Sequence, residues 1–333
     1  MSKVIENIIA KARSAGKTIV LPEADDQRVL LAAQKILAEG YAKIILLGDP
    51  AKIQADAKAC SADIAGAQIV NPLTDSARDS YIDTLWEKRK AKGMTREDAE
   101  KMMNQVVFYG GAMLAAGRAD GVVVGSICPT ADTCRSALFT VGLKSGIKTL
   151  SSCSIMITVA KSIGVEGAVI FADTGVLPEP TAEQLADIGI LASEACEKLL
   201  GVPACTAMLS FSTKGSASPK IESVKKVIDA TELIKQRRPD LNVDGELQLD
   251  AAVIPAIGER KCKGSKVAGK ANTLVFPDLS CGNIGYKLVE RLGNATALGP
   301  LLMGPAKPIN DLSRGCSVDD IALITAITAV QSC

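Results

Sequence analysis

Short apolar runs alternate with amphipathic stretches along the whole chain. Residues 17–22 and 43–48 are apolar runs that predict strands, and between them residues 28–39 place apolar side chains at helical spacing. Further runs of strand length, each bounded by glycine, proline or polar residues, are 121–125, 167–172, 207–210 and 273–277. Strands that are apolar on both faces are typical of a parallel sheet covered by helices on both sides. The pattern therefore predicts an α/β fold.

The length of the chain suggests more than one domain. At 333 residues and 47% apolar content, the chain can bury a large core and is long enough for about two domains. We find no internal repeat, no low-complexity segment and no linker rich in proline, glycine or serine. Turn residues at 144–147 favour a break there, and the spacing leaves open whether the C-terminal helix returns to the first domain.

Composition argues against several classes of partner. The net charge of +1 gives no global field for nucleic acid, and five Phe, four Tyr and one Trp give no stacking platform for bases. No apolar run approaches the ~20 residues of a membrane helix, and the N-terminus lacks a signal-peptide pattern. Ten cysteines without a CxxC pair, in a chain without histidine, favour reduced thiols over disulfides or a zinc site. We therefore expect a cytoplasmic protein without a metal.

Polar turns follow several of the predicted strands, at the edge where α/β sheets bind ligands. The loop after 121–125 carries hydroxyls, an acid and an arginine, and the turn after 207–210 is rich in hydroxyls and contains one lysine. The turn after 273–277 opens a helix whose N-terminus could face an anion. Each turn alone also fits ordinary loop and capping chemistry, but their recurrence favours anion binding. The candidate residues are Thr133, Arg135, Ser212, Thr213, Lys214 and Asn283.

The segment 310–320 concentrates the most chemistry. It places a hydroxyl, a guanidinium, a thiol and paired carboxylates directly before the last helix. Because the chain has no histidine, acid–base chemistry must use other groups. Ser317 and Asp320 also fit a capping box, so Asp320 is compatible with a helix cap and with a catalytic acid. Cys316 lacks the usual histidine base of a cysteine nucleophile, and Arg89 lies in a charge run that also fits a solvated helix face.

Residues 307–320 closely resemble the C-terminal signature of phosphate acetyltransferases, in the phosphate acetyl/butyryltransferase family. The likeness covers nearly the whole chain and includes residues 21–28, 212–217, 244–248 and 276–284. This combination of motifs is highly specific, and it favours the acetyl enzymes over their butyryl relatives.

The resemblance implies a reaction and an architecture. The reaction is reversible acetyl transfer between acetyl phosphate and coenzyme A (CoA), with CoA as a substrate and no tightly bound cofactor. The architecture is a two-domain, three-layer α/β/α sandwich like that of isocitrate and isopropylmalate dehydrogenases. The expected domains are 1–147 with 303–333, and 148–302, with the active site in the cleft between them. A cytoplasmic homodimer is also implied.

The resemblance also implies roles for individual residues. By position, Asp320 matches the proposed base for the CoA thiol, Arg314 the transition-state arginine and Ser313 the serine that contacts the oxyanion. Arg89 and Arg135 match arginines associated with substrate binding, and Thr133 would help Arg135 to hold the phosphoryl group. Relatives often have histidine at Cys128 and proline at Ser136, which puts in doubt a histidine role in that loop but not the reaction.

The mechanism we expect is direct attack of the CoA thiolate on the acetyl carbonyl in a ternary complex. Moving a proton from an ordinary thiol to an ordinary aspartate costs about 6 kcal/mol, so the site has to narrow that gap. Burial of the acid and a guanidinium beside the thiolate would both help. The alternatives are a phosphate butyryltransferase or other short-chain acyl phosphate transferase, a metal- and NAD-dependent decarboxylating dehydrogenase on the same fold, and a non-catalytic protein that binds phosphorylated metabolites.

Overall fold

Residues 2–333 of the computed structural model fold into two compact α/β units. The N-terminal unit comprises Glu6–Ser145 and Pro305–Cys333, and the central unit comprises Gly146–Gly304 together with residues 2–5. The chain therefore crosses between units at 5/6, 145/146 and 304/305; the expected domain ranges had only the last two crossings, at 147/148 and 302/303. The α/β fold class predicted from the apolar pattern is confirmed.

Helices and strands alternate along most of the chain. The strands are β1 (Thr18–Leu21), β2 (Lys43–Leu47), β3 (Gln68–Val70), β4 (Gly121–Val124), β5 (Ser151–Ile157), β6 (Ala168–Ala172), β7 (Cys205–Leu209), β8 (Asn242–Leu247), β9 (Thr273–Val275), β10 (Thr296–Met303) and β11 (Ile309–Asp311). The helices are α1 (Lys3–Ala15), α2 (Gln27–Glu39), α3 (Pro50–Ala59), α4 (Arg78–Arg89), α5 (Arg96–Met103), α6 (Val106–Ala115), α7 (Thr130–Thr140), α8 (Ala182–Leu200), α9 (Glu222–Arg237), α10 (Leu249–Val253), α11 (Pro255–Lys261), α12 (Leu279–Arg291) and α13 (Val318–Gln331), with a 3₁₀ turn at Lys90–Lys92. All six predicted strands and the helix at 28–39 are confirmed.

The N-terminal unit is built on the parallel sheet that its strand pattern predicts. The strand order is β11-β4-β1-β2-β3, and every pair of neighbours is parallel. Strand β4 is buried along its whole length. Tyr109 and Phe108 of α6 belong to the same core as Val122 of β4, and a side chain at Gly121 would collide with Thr328 of α13. Helix packing this close explains why β4 begins with glycine.

The central unit has a mixed sheet: its predicted strands β6, β9 and β7 pair in parallel as expected, and its antiparallel pairs involve the strand β5, which was not predicted. The order is β10-β5-β6-β9-β7-β8, in which β5 is antiparallel to both β6 and β10. The strand β5 was not predicted because serine and cysteine interrupt its apolar residues. Its hydroxyls are nevertheless buried, because Ser152 donates to Asp173 and Ser154 bonds with Thr174. Hydrogen bonds to Asp173 and Thr174, which follow β6, thus allow this polar strand to be buried in the core.

A buried carboxylate holds the loop after β4. Glu23 is 5% exposed and accepts hydrogen bonds from the backbone N–H groups of Gly125, Ser126, Ile127 and Cys128 at 2.7–3.1 Å. The Ser126 hydroxyl donates to the same carboxylate at 2.9 Å. Gly125 has φ +112°, a backbone conformation that residues with a side chain rarely adopt. The loop is therefore shaped by one side chain that lies two residues beyond β1.

Among residues 2–333, no helix combines the length and the apolar character that crossing a bilayer requires.

Replacing Glu23 by alanine should destabilise the N-terminal unit strongly. Four N–H groups, those of Gly125 and Ser126 in buried contacts, would lose their acceptor, and an unsatisfied buried donor costs about 1–3 kcal/mol. Water can reach part of the vacated space and limits the cost per group. We therefore expect the free energy of unfolding, measured by urea denaturation, to fall by about 3 kcal/mol or more. The control is Glu87→Ala, which removes an exposed ion pair with Lys90 and should change stability by less than about 1 kcal/mol. Equal effects of the two substitutions would contradict the structural role of Glu23.

Candidate active site

The segment 313–317 is an exposed turn between the end of β11 and the start of α13. Ser313, Arg314 and Gly315 are exposed, and the Ser313 hydroxyl accepts a hydrogen bond from the Gly315 N–H at 3.3 Å. The Cys316 N–H donates to the Ser313 carbonyl at 2.9 Å, which closes the turn. The side chains of Ser313 and Arg314 are thus presented to solvent by a locally hydrogen-bonded loop, as suits groups that bind a ligand.

Asp320 caps helix α13. Its carboxylate accepts from the backbone N–H and the hydroxyl of Ser317, both at 2.8 Å, and its own N–H donates to the Ser317 hydroxyl at 3.1 Å. The predicted capping box is confirmed. The side chain is exposed in this structure, so the burial that the expected mechanism invoked is not present. The cap holds the carboxylate in one orientation and leaves it open to solvent.

Cys316 is a poor candidate for a nucleophile. It is 6% exposed, and burial raises the pKa of its thiol while the nearby Arg28 partly opposes that shift. Burial likewise raises the pKa of Cys128 to about 12, with a further contribution from Glu23. Since the thiolate is the nucleophilic form, neither cysteine is prepared for covalent catalysis.

Arg28 holds the backbone of the segment 313–317 by hydrogen bonds, a role that the sequence did not reveal. One terminal nitrogen, Nη1, donates to the backbone carbonyls of Arg314 and Cys316 at 2.9 and 2.8 Å. The other, Nη2, donates to the Ser126 carbonyl at 3.0 Å and to the Asp26 carboxylate at 2.6 Å. The only sequence signal was the placement of Arg28 in the first turn of α2, two residues after the N-cap Asp26. A single guanidinium thus ties three loops of the N-terminal unit together.

The arginines of α4 and α7 are placed differently from each other. Arg135 is exposed and pairs with Asp132 at 2.5 Å. Arg89 lies at the end of α4 with its guanidinium carbon 3.8 Å from the centre of the Phe139 ring. Its Nε is buried and has no hydrogen-bond partner among the described residues. Arg89 is therefore not part of a solvated helix face.

Thr133 is fully buried, and its hydroxyl donates to the Asp311 carboxylate at 2.6 Å. The side chain is therefore closed off from solvent, and its hydroxyl already has an acceptor inside the protein. This geometry fits a supporting role better than direct contact with a phosphoryl group.

The polar turn after β7 is satisfied within the central unit. Ser212 donates to the buried Glu246 at 2.9 Å, and the Thr213 hydroxyl donates to the side chain of Gln248 at 3.2 Å. Lys214 pairs with Asp244 at 2.5 Å. These contacts hold the turn against β8, which is the ordinary loop chemistry that the sequence also allowed.

The start of α12 is capped by a carboxylate. Asp278 accepts from the Cys281 N–H at 2.9 Å, so a negative group already occupies the helix N-terminus that was expected to face an anion. Asn283 donates to the Thr174 carbonyl at 2.9 Å. Beside this helix start, at the carboxyl ends of β7 and β9, an apolar cavity of about 310 Å³ is lined by Leu209, Phe211, Leu249, Phe276 and Cys281, among others.

Within residues 2–333, no group of three or more cysteine, aspartate and glutamate side chains is arranged to hold a metal ion.

Comparison with known proteins connects these features to one family. The model of a family described as phosphate acetyl/butaryl transferase matches residues 3–329. Phosphate acetyltransferase from Acetivibrio thermocellus is 46% identical over 328 residues, which covers 98% of each chain. Phosphate acetyltransferase from Clostridium acetobutylicum is also 46% identical, over 99% of this chain and 98% of its own.

Solved structures agree with the fold. A phosphotransacetylase from Streptococcus pyogenes superposes with a TM-score of 0.93 at 40% identity, over 100% of this chain and 99% of its own. A 4-hydroxythreonine-4-phosphate dehydrogenase from Klebsiella pneumoniae shares the fold alone, with a TM-score of 0.52 at 11% identity over 95% of this chain and 100% of its own. The predicted dehydrogenase-like two-domain fold is confirmed.

Arg28→Lys should loosen the segment 313–317. A lysine offers one ammonium group and cannot replace both carbonyl contacts while it keeps Asp26 and Ser126. Two hydrogen bonds of about 0.5–1.5 kcal/mol each correspond to amide exchange that is about 5- to 150-fold faster. Hydrogen exchange of peptides that cover 313–317 would measure the change. Arg13→Lys, which alters an exposed contact with Glu39, is the control and should leave these peptides unchanged. Unchanged hydrogen exchange in Arg28→Lys would show that Arg28 does not hold this segment.

Proposed function

Because the chain belongs to the phosphate acetyl/butaryl transferase family, we propose that it transfers an acetyl group reversibly between acetyl phosphate and coenzyme A. The observation that carries this proposal is 46% identity to phosphate acetyltransferases over 98% of the chain. Acetyl phosphate, phosphate and CoA are then substrates and products, and no tightly bound cofactor takes part. The expected cytoplasmic location stays a prediction.

The chemistry we propose is direct transfer in a ternary complex. The CoA sulfur forms a bond to the acetyl carbon, the bond from that carbon to the phosphate oxygen breaks, and phosphate leaves with the electron pair. The Ser313 hydroxyl donates to the carbonyl oxygen as negative charge develops there. The buried thiol of Cys316 and its raised pKa support direct transfer over an acyl-cysteine intermediate.

Asp320 is proposed as the acceptor of the CoA thiol proton. Transfer from an ordinary thiol to an ordinary aspartate costs about 6 kcal/mol, and exposure to water does nothing to reduce that cost. Bound CoA would exclude water from the exposed carboxylate, and a guanidinium favours thiolate over thiol. Arg314 is the exposed guanidinium in the same segment, and its fork also matches phosphoryl oxygens. The capping box supports this role because it fixes the carboxylate before CoA arrives.

The remaining residues divide between binding and support. Arg89 and Arg135 are proposed to bind the anionic groups of the substrates, which would satisfy the buried Nε of Arg89. Thr133 is proposed to support the first turn of α7, the helix that carries Arg135. Since the polar atoms of Ser212, Thr213 and Lys214 are engaged within the central unit, we propose that they shape their turn for substrate. Asn283 stays a proposed substrate contact.

An acyl phosphate assay tests the function. Purified protein with CoA and acetyl, propionyl or butyryl phosphate is followed by thioester absorbance. Fastest thioester formation with the acetyl substrate would support the proposal, and no thioester with any of the three would overturn it. Preference for butyryl phosphate would replace acetyl transfer by butyryl transfer.

Asp320→Asn should abolish most turnover while the protein stays folded. An amide cannot take the thiol proton, but its oxygen still accepts from Ser317, so the cap is largely kept. We expect kcat to fall by about 100-fold or more, as is typical for a lost general base. The melting temperature should change by only a few degrees, since a cap contributes about 1 kcal/mol.

The neighbouring Asp319→Asn is the matched control for Asp320. Asp319 is exposed and pairs with Lys35 at 2.7 Å. Its replacement should leave kcat within about twofold. If Asp320→Asn kept near-normal turnover, the carboxylate would be a helix cap and not the base.

We also propose that the protein is a homodimer, supported by an apolar face of α12 and its C-cap. Ile284, Leu288 and Leu292 recur every four residues and are 58%, 50% and 81% exposed. A row of large apolar side chains on one helix face is typical of a protein interface.

Leu288→Glu should therefore convert the dimer to a monomer, because it would bury a charge in the contact. Size-exclusion chromatography with light scattering measures the mass. Lys287→Glu places the same charge at an exposed polar position of α12 and should leave the dimer intact. A wild-type monomer, or a Leu288→Glu dimer, would contradict the proposed interface.

A further inference from the structure

Asp311 is a buried acid that the proposed reaction does not use. It is the last residue of β11, pairs in register with Val124 of β4 and lies two residues before Ser313. The Leu312 N–H donates to the Val124 carbonyl at 2.7 Å, which continues the sheet up to the exposed turn. The side chain is 5% exposed. Asp311 is therefore the last strand residue before the exposed segment that carries Ser313 and Arg314.

The Asp311 carboxylate contacts the first turn of α7 with both oxygens. Thr130 donates to Oδ2 and Thr133 donates to Oδ1, each at 2.6 Å. Helix α7 has Pro129 at its N-cap and no side-chain cap of its own. A carboxylate near a helix N-terminus is favourable because the first N–H groups carry partial positive charge. Asp311 thus joins β11 to the helix that carries Arg135.

The backbone around Asp311 is adapted to this contact. A Cβ atom at Gly125 would lie 2.5 Å from Asp311 Oδ1 and 2.6 Å from the Leu312 nitrogen. A residue with a side chain at 125 would therefore displace the carboxylate. Burial raises the pKa of Asp311, the two threonine hydroxyls oppose that shift and the neighbouring Glu23 adds to it. Within residues 2–333 the carboxylate contacts hydroxyls and no cation, so a stabilising ion pair does not explain its burial.

We propose that Asp311 is a positioning residue that holds Ser313 and Arg314 at a fixed spacing from Arg135 through Thr130 and Thr133. Ser313 and Arg314 follow β11, whereas Arg135 is one turn along α7, so the two sets are joined by this pair of hydroxyl contacts. Acyl transfer needs the carbonyl and the phosphoryl ends of one small substrate to be held together, and small misplacements reduce the rate strongly. This inference rests on the proposed acetyl transfer, for which the spacing matters.

A double-mutant cycle tests the contact. Thr133→Val keeps the shape of the side chain and removes the hydroxyl. In the wild-type background it should lower kcat about tenfold, with KM for acetyl phosphate changed less than threefold, because the contact acts on the geometry of the transition state. In an Asp311→Ala background the same substitution should change kcat less than twofold, since its partner is already gone.

Two further variants separate positioning from folding. Asp311→Asn can still accept from one hydroxyl and donate to the other, so it should retain at least fivefold more kcat than Asp311→Ala. Thr325→Val is the matched control, because Thr325 is also a fully buried threonine whose hydroxyl donates within the N-terminal unit, to the Ile321 carbonyl at 2.8 Å. Its kcat should stay within twofold of wild type. If Asp311→Ala does not fold, Asp311→Asn takes its place in the cycle, with a smaller expected coupling.

The outcomes distinguish failure of the positioning role of Asp311 from failure of the proposed acetyl transfer. Independent effects of Thr133→Val and the Asp311 substitution on kcat, or an Asp311→Ala enzyme within twofold of wild type, would overturn the positioning role. A wild-type protein that is inactive with every acyl phosphate would instead overturn the proposed function. Hydrogen exchange at residues 312–314 would then still test the contact, with faster exchange expected in Thr133→Val and not in Thr325→Val.

Discussion

The Glu23 carboxylate and its ring of donors set the local geometry of the N-terminal unit. Four consecutive backbone N–H groups converge on one buried acid, and such groups are costly to leave without a partner. The loop that they form supplies the carbonyl of Ser126 to Arg28, and Arg28 in turn holds the backbone of Arg314 and Cys316. The presentation of Ser313 and Arg314 therefore depends on a contact made by a residue just beyond β1.

In the central unit, Asp173 likewise accepts hydrogen bonds from the backbone of a polar loop. This acid is 2% exposed and accepts from the N–H groups of Gly175, Val176 and Leu177 as well as from Ser152. In both units a short acidic side chain after a strand replaces the water that a polar loop would otherwise need. The acids nearest the strands are thus structural, whereas Asp320, proposed as the base, stays exposed.

The sequence predicted much of the fold because parallel strands and amphipathic helices leave strong apolar patterns. It missed β3, β5, β8, β10 and β11; in β5, for example, the serines become buried only through hydrogen bonds to Asp173 and Thr174, which follow β6. The same limit applies to the site. Ser317 and Asp320 formed the predicted cap because capping is local, but Arg28 acts on carbonyls almost three hundred residues away and leaves no local signal. The charge run around Arg89 suggested a solvated face, because its contact with Phe139 lies fifty residues along the chain and leaves no local signal.

The connectivity of the two units has a consequence for synthesis. The central unit is nearly continuous, from Gly146 to Gly304, and can begin to fold while the ribosome is still adding residues. The N-terminal unit lacks its edge strand β11 and its helix α13 until residues 309–331 emerge. Ser313, Arg314 and Asp320, the residues proposed for catalysis, belong to this portion, so their turn forms after the central unit has emerged. A nascent chain can therefore contain a folded central unit before it contains the residues proposed for the reaction, and a chain interrupted before residue 309 lacks all of them.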